Sequence, residues 1–231
     1  MKRFYERAEA AVLEGGHHIL LDGRPLRTPG GNPLRLPSAA LAAAIAGEWG
    51  EQEGTVRPAT MPLMRLATTV IDLMPARRAD AIAEITGFAR SDLLCYRVGH
   101  PRELVARQQQ RWQPWLDWAA RRFGARLRVT AALSPVEQPE EAVRALTSVL
   151  ERLDDWRLVG LHAATRLTGS LVLGLAIEHA LLTADEAFEL AHLEEFWEIE
   201  QWGADPEQEA RQRAVRRDLE AACRFLGMLA A

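Results

Sequence analysis

Beyond about Pro62 the chain opens one helix after another, and almost every opening is spelled out. Pro75 precedes a helix predicted from Ala76 to Arg90, and Pro101 precedes one from Glu103 to Gly124. Ser134-Pro135-Val136-Glu137 and Thr183-Ala184-Asp185-Glu186 both have capping-box form, in which hydroxyl and carboxylate satisfy each other's orphan backbone donors. They predict helices from Pro139 to Asp154 and from Ala184 to Trp202. Asp205-Pro206-Glu207-Gln208 starts the last helix, with Asp205 as cap, Pro206 in the first turn and Glu207 favourable to the dipole. That helix runs to about Leu229. Between Gly160 and Leu182 the sequence is apolar on nearly every side, and Gly169, Ser170 and Gly174 allow close packing. This predicts a buried helix at the centre of a helical lobe.

Before Pro62 the punctuation is different. Short apolar runs are cut by Gly15-Gly16, by Asp22-Gly23 and by Gly30-Gly31-Asn32-Pro33, which predicts a small antiparallel meander. Asp22-Gly23 is the sharpest signal, because a two-residue hairpin needs positive φ at its centre and Asp-Gly tolerates it. Arg24 to Thr28 is the returning strand, with Pro25 at its start or on an edge. Ser38 then caps a helix through Leu41, Ile45 and Trp49, ending near Gly54. The only later strand candidate is Arg126 to Leu133. The fold class is α+β: a small N-terminal β-rich lobe, residues 1–60, followed by a larger all-helical lobe, residues 61–231. The join falls near Thr55 to Pro62.

Composition excludes several functions. At 231 residues, 48% hydrophobic, the chain can bury roughly 70% of its unfolded surface without disulfide or metal. Lys and Arg total 28 against 32 Asp and Glu, a net charge of -4, the wrong sign for a protein held by nucleic-acid phosphates. The longest apolar tract, Leu158 to Leu182, is broken by His162, Arg166, Glu178 and His179, so it is read as buried helix and the protein as no integral membrane protein. Cys95 and Cys223 form no CxxC pair and sit among apolar residues, as expected of reduced thiols. With the polar start Met1-Lys2-Arg3, which lacks a secretory apolar core or an organellar presequence, this predicts a cytoplasmic protein.

Catalytic signatures are sparse. No GxxxxGK[ST] and no strand-to-helix GxGxxG occur, so no nucleotide cofactor is expected. Thr168-Gly169-Ser170 is the nearest approach to a nucleophile elbow, and Ser170 more simply bonds back to a helix. Glu189 and His192 have the ExxH spacing of a metal-carboxylate helix, but the other match, Glu14 to His17, lies in a glycine turn. A small metal-dependent enzyme using Glu189 and His192 stands as the alternative reading.

Tryptophan is over-used, seven against two tyrosines. Trp112, Trp115 and Trp118 recur at threes on one helix side, as a core stripe or an aromatic groove; exposure decides between them. Glu194, Glu195, Glu198 and Glu200, continued by Asp205 and Glu207, surround Trp197 and Trp202. Such a cluster is a solvated helix face, or an acidic rim that orients a basic, partly apolar partner while the aromatics supply affinity.

Taken together, Phe4-Tyr5, the run Ile19 to Pro29, Glu48-Trp49, Thr60-Met61-Pro62-Leu63, Ser91 to Arg97 and Trp202-Gly203-Ala204-Asp205-Pro206-Glu207 resemble the assembly chaperone of the F1 ATP synthase α subunit, found in mitochondria and α-proteobacteria. The resemblance spans about Lys2 to Leu229. It implies a non-catalytic factor without cofactor that binds unassembled α subunit and prevents its aggregation until β takes its place. Displacement by a tighter partner needs no ATP cycle. Trp49 and the 202–207 turn match the family pattern best, which makes Trp49, Glu195, Glu198, Glu200, Trp202, Asp205 and Glu207 the expected partner-binding residues. A general protein-binding adaptor is the third reading.

Overall fold

The computed structural model describes residues 1–132 and 134–229. Strands β1 (Ala8–Leu13), β2 (Gly16–Leu21) and β3 (Arg24–Pro25) form one antiparallel sheet in the order β1-β2-β3. Register runs from Ala8 opposite Leu21 to Leu13 opposite Gly16. Asp22 and Gly23 both have positive φ, 49° and 77°, the backbone the hairpin requires. Asp22 does more than turn: its carboxylate accepts from the backbone N–H groups of Glu6 and Arg7, so the tip also anchors the N-terminal segment.

Ten α-helices follow among the described residues. They are α1 (Ala39–Gly50), α2 (Pro62–Thr68), α3 (Met74–Arg90), α4 (Arg102–Phe123), α5 (Glu140–Arg152), α6 (Asp155–Thr168), α7 (Leu171–Glu178), α8 (Ala184–Ala191), α9 (Leu193–Trp202) and α10 (Pro206–Gly227). Ser38 caps α1, accepting from Leu41 N–H at 3.1 Å. The helix stops at Gly50, short of Gly54. A wide turn over Thr69–Leu73 joins α2 to α3.

Several expected elements are divided or displaced. The helix predicted over 160–182 is two helices: Gly169 ends α6 at φ 68°, and Ser170 caps α7 by accepting from Leu173 N–H. Gly and Ser are the local residues that stop one helix and start the next. Gly174 is a close approach, since a Cβ there would collide with Thr165 Oγ1 of α6. The helix predicted over 184–202 divides at His192, although its capping box between Thr183 and Glu186 is present in full. The box at Ser134 to Glu137 does not form among the described residues. Helix α5, Glu140–Arg152, nonetheless lies within two residues of the expected Pro139 to Asp154 at each end, and beside the absent box the Gln138 side chain bonds both backbone groups of Arg128, at 2.7 and 2.9 Å. Over 126–132 the chain makes one isolated bridge, Thr130 with Tyr96, and no strand; Leu133, the end of that predicted strand, lies outside the described residues.

Two apolar clusters hold the fold. One contains Ile19, Leu34, Ile45 and Trp49 from the first 60 residues together with Leu146, Leu158 and Phe225. The other packs Leu94, Trp112, Val172, Phe188 and Leu219. The tryptophans of α4 belong to packing. Trp112 is fully buried and donates to Leu190 O at 2.9 Å, while Trp118 packs edge-on to Trp115 and Phe123.

Candidate functional site

The acidic cluster sits where α9 turns into α10. Leu193 is buried and Phe196 and Trp197 pack against the second cluster, which fixes the opposite side of α9 toward solvent. Glu195, Glu198 and Trp202 recur at intervals of three and four and so form one stripe. Trp202 ends it at 88% exposure, unusual for a side chain that would bury about 200 Å² in a core. Glu195 is tied down, accepting from Arg211 and Gln212 of α10 at 3.0 and 3.1 Å. Glu198 is exposed and makes no ion pair among the described residues.

Glu200 lies round the helix, toward α4. Its carboxylate takes a two-pronged bond from Arg107, at 2.7 and 2.9 Å, and these bonds hold its pKa below the ordinary carboxylate value. The same guanidinium lies 4.8 Å from the Trp197 ring centre. Beside this pair runs an open groove of about 550 Å³ between α4 and α9, with Leu193, Phe196 and Ile199 in its wall and Arg107, Arg111, Glu189 and Glu200 around them. Glu194 turns inward to Gln108, and burial, then the charge of Glu198, raises its pKa.

Gly203, at φ 82°, turns the chain out of α9. Asp205 then caps α10, accepting from Glu207 N–H at 2.8 Å and Gln208 N–H at 2.9 Å. Glu207 is exposed in the first turn, next to the positive end of the helix. One corner therefore gathers Glu195, Glu198, Trp202, Asp205 and Glu207, with Glu200 turned away toward α4, and it can offer a partner one large apolar ring bordered by negative charge.

Trp49 is elsewhere. It is 7% exposed, and its ring meets Tyr5 edge-on with centres 5.5 Å apart. Tyr5 donates its hydroxyl to Trp49 O at 2.6 Å. The neighbouring Glu48 accepts from Leu63 and Met64 N–H, both at 2.8 Å, so a carboxylate from α1 caps the start of α2; burial raises its pKa. Trp49 also lines a second groove, about 780 Å³ and mostly apolar, that shares no residue with the α4–α9 groove.

Comparison with known proteins decides what this arrangement belongs to. The family profile described as ATP12 chaperone protein matches residues 2–120. The crystal structure of Atp12 from Paracoccus denitrificans superposes with a TM-score of 0.92 at 37% identity, covering 99% of this chain and 98% of that one.

The chain belongs to the ATP12 chaperone family.

The Atu1473 protein of Agrobacterium tumefaciens also matches, with a TM-score of 0.92 and 45% identity over 99% of this chain and 86% of its own. Protein atp12, mitochondrial, of Schizosaccharomyces pombe is 24% identical over 215 residues, covering 88% of this chain and 74% of the yeast protein.

Within this ATP12 chain Glu189 and His192 do not act as a pair. Glu189 bonds Arg111 of α4 at 3.1 Å, and the His192 ring stacks on Phe188 with centres 4.2 Å apart. Among the described residues no three His, Cys, Asp or Glu side chains converge as metal ligands, and no helix is long and apolar enough to cross a membrane. Sequence reasoning missed Arg107 and the Trp49 groove. Its one usable signal was that Phe4-Tyr5, Glu48-Trp49 and Thr60 to Leu63, separate in sequence, all carry the family resemblance, and in space they meet.

Proposed function

We propose that this protein is a holding chaperone for the unassembled α subunit of the F1 ATP synthase. It covers the α surface that β later buries, acts in the cytoplasm of a bacterium and needs no ATP. An orphan subunit with an uncovered apolar interface aggregates, and a binder that occupies that interface prevents this until a tighter partner displaces it. The observation that carries the reading is Trp202, left 88% exposed on an acidic stripe in a chain of the ATP12 family. A half-apolar, basic client surface would bury that ring and meet Glu198, Glu207 and the carboxylates beside them.

The test is co-expression of this protein with F1 α subunit in the absence of β, followed by co-purification and measurement of soluble α. The expected result is a stable complex that forms without nucleotide, weakened by Trp202→Ala and by Glu198→Ala. Equal solubility of α without the chaperone would overturn the proposal. Equal capture of unrelated aggregation-prone proteins would make it a general adaptor instead.

A further inference from the structure

The second groove lies where the N-terminal segment, the residues just after β3, α1 and α2 come together. Phe4, Leu26, Trp49, Val56, Met61 and Met64 supply its apolar lining, and its volume of about 780 Å³ falls within the range of ligand sites. Phe4 on the rim is 60% exposed and Met1 is 71% exposed, so apolar surface continues out of the groove onto the face around it. Its methionines are unbranched and can repack around different occupants.

Polarity identifies the occupant. Arg27 and Arg65 line the groove and no carboxylate does. Both arginines are exposed, and neither makes an ion pair among the described residues, although Arg27 spends one N–H on Gly31 O at 2.8 Å. The hydroxyls of Thr28, Thr68 and Thr69 are spent on Asp72, Met64 O and Arg65 O. In the wall, the buried indole N–H of Trp49 has no acceptor among the described residues, although such groups are normally satisfied. The groove thus offers apolar surface, two guanidinium groups with no carboxylate among the lining residues, and one indole N–H without a partner. An occupant must bring acceptors: main-chain carbonyls and a carboxylate.

We infer that this groove binds an extended apolar segment of a polypeptide client that carries an acidic residue. The carboxylate pairs with Arg65 and Arg27, and a backbone carbonyl accepts from Trp49 once the methionine side chains move aside. The inference rests on the holding-chaperone reading and adds a second contact region, of opposite charge to the α9–α10 corner. A client held at both would present a basic patch to one and an acidic apolar strand to the other.

The experiment uses the full chain and a dye-labelled apolar peptide of about ten residues, which reaches roughly 33 Å when extended, with one central glutamate, read by fluorescence anisotropy. A matching peptide with lysine at that position and dodecanoate are the comparison ligands. The expected result is saturable binding of the glutamate peptide, roughly tenfold weaker binding of the lysine peptide as expected for losing one charged pair, and a similar loss in Arg65→Glu and Phe4→Ala. Both substituted side chains are exposed, so these variants keep the fold. Trp49→Phe, which keeps an aromatic ring and removes the donor, weakens binding severalfold, whereas Trp202→Ala leaves it unchanged. Equal binding of the two peptides, no effect of Arg65→Glu, or saturable dodecanoate binding in place of peptide overturns the inference. If the peptide binds as expected but α subunit is not captured in co-expression, the groove stands and the α-subunit reading falls.

Discussion

Two buried carboxylates show how single residues tie this chain together. Asp92 is fully buried and accepts from Leu94 N–H at 3.0 Å and from Val172 N–H at 3.1 Å, joining the turn after α3 to the start of α7. Burial pushes its carboxyl up to about 6 from an ordinary 3.8. Because the folded pKa lies above the unfolded one, between pH 4 and 6 the folded state holds a proton that the unfolded chain has lost. Stability contributed by this group therefore falls as pH rises through that window, by on the order of 3 kcal/mol, and is flat above it. Asp92→Asn should remove that slope. At neutral pH it should also destabilise by about 1–3 kcal/mol, because an amide NH₂ must face a backbone N–H. Urea unfolding of both proteins across pH 4 to 8 checks this; parallel pH profiles would refute it. Glu48 plays the same part at longer range, capping α2 from α1, and Glu48→Ala should lower stability by about 1–3 kcal/mol by orphaning the N–H groups of Leu63 and Met64. Cysteine chemistry follows from burial too: the Cys95 thiol is raised and that of Cys223 is pushed up to about 11, so neither is a ready nucleophile at neutral pH.

Among the elements, the corner between α9 and α10 combines folding with the proposed contact, and the two can be separated. Asp205→Asn keeps an acceptor for Glu207 and Gln208 N–H while removing the charge; Asp205→Ala removes both. Thermal unfolding should show Asp205→Asn within a few tenths of a kcal/mol of the native chain and Asp205→Ala about 1 kcal/mol less stable. Both should capture less α subunit. Undiminished capture by Asp205→Asn would leave the residue a cap and nothing more. The same distinction explains what could be read from sequence. Asp22-Gly23, Ser38, the Thr183 to Glu186 box and Asp205 were legible because each acts on backbone within a few residues of itself. The break at Gly169-Ser170 was written locally as well, but the unbroken apolar run around it hid the signal. The box at Ser134 to Glu137 was a false local signal for a helix whose start was still placed within one residue; the bond that Gln138 makes back to Arg128 is not written locally. For the site, the acidic stripe and Trp202 were visible as a pattern. Arg107, which occupies Glu200, comes from α4, and only the fold brings it there.

On the scale of the molecule, the N-terminal sheet and the helices share one core. Ser38, which caps α1, donates its hydroxyl to Met228 O just beyond the end of α10. Phe225 of α10 is completely buried in the cluster that holds Ile19 and Trp49, and its ring stacks with that of Trp156 at a centre distance of 6.0 Å. Gly160 lets α6 approach so closely that a Cβ there would lie 2.6 Å from Leu226, so α10 is clamped between α6 and the N-terminal lobe. Apolar surface divided this way cannot be buried by either part alone. Residues 1–60 made as a separate chain should therefore remain unfolded by far-ultraviolet circular dichroism, since Leu146, Leu158 and Phe225 would be missing from their core. The whole protein should unfold in one step, with circular dichroism and tryptophan fluorescence changing together. Phe225→Ala should cost about 3–5 kcal/mol and lower the midpoint by roughly 6–20 °C at this chain length, again as one transition. Two separated transitions, with only the helical one shifted by Phe225→Ala, would show that the lobes are independent. Were they independent, the grooves on either side could move relative to each other; a single shared core holds them at a fixed separation, as a client gripped at both points requires.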